Sequence, residues 1–175
     1  LRSKIYWNHS GACFTEQMEN FGVPNCSEYG WKRPNDFDKG LEFNAWLEYQ
    51  WDTSLEFCLM MLEQYYYSGK DISEYMAFIE SCLDFFDEHY QYLAQRRGRK
   101  ALVLYPGSAC ETYKMAYNST STVAALKTVL EKLLGLPDDY LGIEEREKYS
   151  EMVLRIPPIN FREIDGNVTI APAKL

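Results

Sequence analysis

Basic charge is scarce in this chain. Eighteen Lys and Arg stand against 26 Asp and Glu, a formal net charge of -8. A nucleic-acid or anionic-membrane partner needs a basic face to displace counterions, so neither is expected. The one basic run, Arg96-Arg97-Gly98-Arg99-Lys100, reads as a solvated loop after a helix C-terminus, where positive charge suits the helix dipole. Long apolar runs are missing too. None reaches the roughly 18 residues that a membrane span requires. An initiator Met and a signal-peptide pattern are both lacking at the start, so the chain reads as a processed or excised piece of a secreted or periplasmic protein. Its expected partners then include the remainder of a parent chain or a second copy of itself. Histidine occurs only twice, and the five cysteines, an odd number, contain no CxxC pair. That excludes a zinc site of the usual kind, and neither a metal nor a cofactor is expected.

What is present is core-forming material. At 46% hydrophobic and 15% aromatic residues, 175 residues suffice for one globular domain rather than a disordered tail. Cys58 and Cys82 fall on apolar helix faces nearly equidistant from a turn at Gly69. They should sit at one level of a helical hairpin, where axes 8 to 10 Å apart suit two buried thiols better than a disulfide. Asn-x-Ser/Thr patterns begin at Asn8, Asn25, Asn118 and Asn167, a short motif with little weight in an unknown compartment.

In chain order, residues 1–40 hold Gly, Pro, Asn and aromatics and read as a long structured loop. Within it His9 to Gln17 mixes small, polar and aromatic side chains that could line a sugar site, Glu16 among them. Helical spacing of Leu47, Trp51, Leu55, Cys58, Leu62 and Tyr65 predicts a first helix over 43–67. It is apolar on nearly every face, so it is expected to be buried nearly all round. Its acids Glu48, Asp52 and Glu56 recur every fourth residue and share one face near its start. A solvated stripe and a polar pocket at the helix mouth are both open readings. Ser68-Gly69-Lys70 makes a turn, Asp71 with Glu74 suggests a capping box, and an amphipathic outer helix follows to about Leu93. Leu102 to Tyr105 is β-prone and is expected to form a strand ended by Pro106-Gly107, which would present Ser108 to Glu111 in a short irregular loop. A third helix, capped around Asn118 to Ser121, runs to Gly135. A fourth spans about 143–154 and is stopped by Pro157-Pro158. Short β pieces with a turn at Asp165-Gly166-Asn167 close the chain. Because the hairpins alternate in direction, the three long irregular segments should gather at one end, the arrangement of a site-bearing scaffold.

Two inner/outer helical hairpins with long loops on one side resemble a segment of an (α/α)6 six-hairpin toroid. The stretches WLEYQWDTSLEFCLMMLEQYY, FIESCLDFFDEHY, LVLYPGSACETYKMAYNSTSTVAALKTVL and RIPPINFREIDGNVTIAP are similar to the catalytic module of α/α glycoside hydrolases. They resemble most an uncharacterised glycosidase-like family related in pattern to the family 95 α-L-fucosidases. There a strand leads into Pro-Ser-x-Ser-Pro-Glu and a helix, and the Glu is the general acid. Pro106, Ser108 and Glu111 match that frame, with Ala109-Cys110 in place of Ser-Pro. The resemblance covers most of residues 43–175, about two hairpins of six, and the family's base and water-positioning residues lie outside it.

The resemblance implies a mainly all-α fold, a partial α/α toroid with short strands in the long loops. It also implies a glycoside hydrolase module acting on a poly- or oligosaccharide, inverting, with Glu111 as catalytic acid. Inverting carboxyl pairs stand roughly 6.5 to 9.5 Å apart and the acid needs a raised pKa. Glu16, Trp46, Glu48, Asp52, Ser108 and Tyr113 are the expected substrate-binding residues. A non-catalytic helical interaction or carbohydrate-binding module and a polysaccharide lyase on a similar toroid are the alternatives.

Overall fold

The computed structural model describes residues 2–14, 52–96, 98, 100–109 and 113–174. Among them the protein is mainly helical. Helix α1 (Arg2–Trp7) is followed by α2 (Asp52–Ser68), α3 (Ser73–Arg96), strands β1 (Gly107–Ala109) and β2 (Tyr113–Ala116), helices α4 (Thr120–Leu134) and α5 (Ile143–Arg155), and strands β3 (Phe161–Ile164) and β4 (Asn167–Ile170). The strands make two separate antiparallel hairpins.

The expected helical hairpins are present, and their side-chain contacts fix their directions. Asp52 of α2 meets Ser121 and Thr122 of α4 at one end, while Glu63 and Tyr66 meet Lys132 near the other. The two helices therefore run parallel. Asp84 and Asp87 of α3 meet Lys148 and Arg155 of α5 in the same order, so the second pair is parallel as well. Each hairpin thus has one member facing its counterpart in the other. At the far end, Tyr140 donates to Asp71 (2.9 Å), tying the two turns together.

The core lies between these four helices. Leu55, Cys58 and Leu62 from α2 pack with Ile79, Cys82, Leu83, Phe86 and Tyr90 from α3, Val123, Leu126, Leu130 and Leu133 from α4, and Tyr149 and Met152 from α5, all buried. Each fully buried Leu, Ile or Val side chain contributes about 1.5 to 3 kcal/mol, which is what holds helices of 13 to 24 residues in place. Cys58 and Cys82 touch in the core as free thiols, and their contact, with burial, pushes the Cys58 thiol pKa far up.

Four local expectations need correction. First, α2 is not buried all round: Phe57, Met60 and Tyr67 are 38%, 66% and 86% exposed, because among the described residues the face opposite α3 and α4 has no apolar neighbour to cover it. Second, the β-prone residues 102–105 form no strand. Leu102, Val103 and Leu104 are buried, and the Leu102 and Leu104 amides donate to Arg155 O (2.7 Å) and Asn118 Oδ1 (2.9 Å). With those partners no ladder is needed, and pairing begins only at Gly107, where a turn was expected. Third, Asp71 accepts from the Ser73 amide and hydroxyl (3.1 and 2.7 Å) rather than forming a reciprocal capping box with Glu74. Fourth, the start of α4 carries no side-chain cap bond at Ser119.

The C-terminal hairpin meets expectation. Asp165 and Gly166 both have positive φ (51° and 77°), the two-residue geometry that lets adjacent antiparallel strands twist correctly and that Asp-Gly favours.

Candidate functional site

The end of the scaffold where α2 and α4 begin is built from segments distant in sequence. Leu104 and Asn118 exchange two hydrogen bonds, Leu104 N to Asn118 Oδ1 and Asn118 N to Leu104 O, both 2.9 Å. Asn118 has φ 48°, a left-handed conformation that Asn tolerates better than most residues. Being buried, it is closed as a glycan acceptor, whereas the side chains of Asn8 and Asn167 are exposed. Asn160 Nδ2 donates to Asn118 O (2.7 Å) and Thr120 Oγ1 (3.0 Å), and Thr120 in turn donates its hydroxyl to Ala171 O (2.6 Å) and its amide to Pro172 O (2.9 Å). Lys174 N donates to Tyr117 O (2.8 Å). The loop before α4 and the C-terminal tail are thereby tied to the first turn of α4.

Strand β1 pairs with β2 through Gly107 opposite Ala116 and Ala109 opposite Tyr113, with a register irregularity between. Glu111 stands between these strands in sequence but outside the described residues, as do Glu16, Trp46 and Glu48. Tyr113 is placed by its backbone in β2. Ser108 lies in β1 with its side chain enclosed.

Asp52 is the expected site carboxylate that the structure describes. Its Oδ2 accepts from Ser121 Oγ at 2.7 Å and its Oδ1 from Thr122 Oγ1, while Ser121 also shares a hydrogen bond with Ser119 (2.9 Å). Burial pushes its pKa up. The Thr122 and Ser121 hydroxyls pull it down, and Glu56 one turn on pushes it up again. Such a group holds its proton more readily than a surface carboxylate and is the type that can donate to an oxygen. Here both of its oxygens are engaged within the fold, where they join the first turns of α2 and α4.

Beneath this cluster lies Tyr90, fully buried, whose hydroxyl donates to Pro106 O at 3.3 Å. Its pKa is driven well above the usual tyrosine value by burial, with Asp52 and Cys13 adding to the effect. In the sequence, Tyr90 simply continues the apolar stripe of α3. Nothing in the pattern separates a tyrosine whose hydroxyl carries a loop from one that merely fills space.

A second polar cluster joins the N-terminal segment to α3. His9 Nε2 lies 3.1 Å from His89 Nδ1, and His9 Nδ1 lies 3.5 Å from Glu88 Oε1. The Ser10 amide and hydroxyl donate to Glu88 Oε2 at 2.9 and 2.5 Å. The chain has only two histidines, and both meet here across 80 positions. Their rarity was the available signal.

No group of three or more His, Cys, Asp or Glu able to hold a metal ion occurs among the described residues, and no described helix is long and apolar enough to cross a membrane. A shallow open depression lined by Ile143, Arg146, Glu147, Ser150 and Glu151 lies on the outer face of α5. No protein-family model, curated protein or solved structure matches the chain.

Proposed function

We propose that this chain supplies two αα-hairpins to a glycoside hydrolase module of the α/α-toroid type, with Glu111 as general acid. The observation that carries the reading is the parallel run of α2 and α4, each backed by an antiparallel partner, with the Leu102–Tyr117 and Asn160–Lys174 segments tied together at the end where both begin. Repetition of such a unit around an axis generates a ring of inner helices whose starts and long loops share one rim. In that reading Glu111 protonates the leaving glycosidic oxygen while a second carboxylate, outside this chain, deprotonates water. Glu16, Trp46, Glu48, Asp52, Ser108 and Tyr113 are the residues assigned to the sugar side of the rim. Asp52 enters there as the buried carboxyl that keeps the two helix starts in register.

The test uses the full-length parent. Glu111→Gln should retain oligosaccharide binding yet lower turnover by about two to four powers of ten on a substrate with a poor leaving group, the usual contribution of acid catalysis. An activated aryl glycoside should lose far less. Equal losses on both substrates would remove Glu111 from the acid's role. A non-catalytic carbohydrate-binding module is the second reading, favoured by the engagement of both Asp52 oxygens inside the fold. Saccharide binding without hydrolysis of either substrate by the unsubstituted parent would decide for it.

A further inference from the structure

Residues 8–14 lie against α3 and reach the start of α2. Ala12 N donates to Ser81 O of α3 (2.8 Å), Ser3 Oγ donates to Gly11 O (3.0 Å), and Cys13 is buried. At the far end the Phe14 amide donates to Ser54 Oγ (3.0 Å), and Ser54 Oγ donates back to Phe14 O (3.2 Å), two residues from Asp52. Between these anchors the segment is held by His9 on His89 and Ser10 on Glu88.

We propose that His9, His89 and Glu88 form a pH-sensitive latch that clamps residues 8–14 onto α3 and releases them when the imidazole pair takes up a second added proton.

The geometry sets the stoichiometry. A nitrogen pair at 3.1 Å needs one N–H and one lone pair between its members. One extra proton fits, because a His9 ring with two N–H groups can direct Nε2–H to His89 and Nδ1–H to Glu88. A second does not fit. Two N–H groups would then face each other, on two cationic rings whose centroids are 5.2 Å apart. His89 is also poorly placed to carry charge, because packing against Phe85 (5.2 Å, 15°) and Tyr90 (5.0 Å, 81°) withdraws it from water.

Among the described residues, the other charged groups on these faces do not compensate. On α3, Asp84 and Asp87 are paired with Lys148 and Arg155 of α5. Glu88 is pulled to a lower pKa by the Ser10 hydroxyl, with the Ser10 amide and His9 acting in the same direction. It is ionised around the ordinary histidine value of 6.5, and the Glu88→Gln variant below separates its own titration from that of His89 toward pH 4. Within residues 8–14, Cys13 is buried and accepts from Ser3 Oγ at 3.9 Å.

Burial first, and His9 second, hold the pKa of His89 at about 4 against an ordinary 6.5. A base with a lowered pKa in the closed form binds fewer protons there than when released. Closure is therefore fully present above about pH 6.5 and is lost as pH falls toward 4. The 2.5-unit gap amounts to roughly a 300-fold change in the closing equilibrium.

Amide hydrogen exchange on the full chain, expressed as protection factors at pH 7, 5.5 and 4, tests the latch. Residues 8–14 should lose protection by on the order of a hundredfold between pH 7 and 4, while α4 changes by only a few fold. His89→Gln, which can still accept from His9 but cannot titrate, should make the profile flat. An unchanged drop in that variant, or none in the unsubstituted chain, would overturn the proposal. So would disappearance of the drop in Glu88→Gln, which would make the carboxylate the sensor. If His89→Gln fails to fold, imidazole resonances of the unsubstituted chain decide: His89 titrating near 4 together with release of residues 8–14 supports the latch, and titration near 6.5 refutes it.

Discussion

Gly11→Ala tests how closely the N-terminal segment must approach α3. A Cβ built on Gly11 would stand 2.3 Å from Ser81 O and 2.6 Å from Phe85 N, both backbone atoms of a helix, and 3.2 Å from Asp84 Cβ. No rotamer change can relieve the first two contacts. Gly11 also has φ +73°, a conformation that costs an alanine about 1 to 2 kcal/mol. To escape the clash the segment must lift and give up the Ala12 N to Ser81 O bond, a further loss of about 0.5 to 1.5 kcal/mol. The sum, about 1.5 to 3.5 kcal/mol, corresponds to a roughly 10- to 300-fold fall in closure of the segment. Gly69→Ala is the matched control, since Gly69 has φ +66° with nothing within 4 Å of the new methyl and carries only the conformational part. Exchange protection of residues 8–14 should collapse in Gly11→Ala and hold in Gly69→Ala, with Leu62 and Leu126 amides little changed in the first. If the two variants lose equal global stability by denaturant titration, and residues 8–14 stay protected in both, the close approach is not what fixes the segment.

Two further outcomes follow from the same structure. Because the folded-state pKa of Asp52 is raised, its contribution is fully present below the unfolded carboxylate value and is lost as pH rises through the folded one. Asp52→Asn should therefore match the unsubstituted chain at pH 3 and exceed it at pH 7, whereas Asp52→Ala, which strands the buried Thr122 hydroxyl, should be less stable by about 1 to 3 kcal/mol at either pH in urea titrations. Arg146 donates to Leu134 O (2.9 Å) and Leu136 O (2.7 Å) and pairs with Asp138 (3.1 Å). Arg146→Met should fray the last turn of α4 and lower stability by about 1 to 3 kcal/mol, visible as faster exchange after Leu130; unchanged exchange there would show that the guanidinium does not cap the helix.

The parts of the fold legible in the sequence are those written in short-range repetition. Apolar residues at helical spacing located α3, α4 and α5 to within a few residues, and the Asp165-Gly166 turn announced the last hairpin because few residue pairs tolerate two positive φ values in succession. The thiol level of Cys58 and Cys82 followed from counting outward from Gly69. What could not be read was decided by partners far along the chain. Residues 102–105 have the composition of a strand, yet Asn118 and Arg155 take their amides. His9 and His89 have no local signature, since their meeting depends on residues 8–14 crossing α3. Asp52 was legible as one of an acidic row, but its engagement with Ser121 and Thr122 depends on α4 running parallel to α2, a fact no periodicity contains.

The outward faces of the two inner helices also differ in a way that bears on the toroid reading. In a closed ring each inner helix has a neighbour on both sides, so units of such a ring would carry apolar surface on α2 and on α4 alike. It occurs on α2, where Phe57, Met60 and Tyr67 recur along one stripe. On α4 the exposed positions are Ser121, Ala124, Lys127 and Glu131, with Lys127 and Glu131 forming a surface ion pair at 3.7 Å. Such a pair contributes at most about 1 kcal/mol and only while water surrounds it, whereas covering Phe57 and Met60 would remove apolar surface from water at about 25 cal/mol per Å². Within the proposed architecture, a further hairpin would therefore gain most by packing against α2. The α4 side suits a looser, polar contact, and a ring assembled from such units would be tight at one seam and wet at the other.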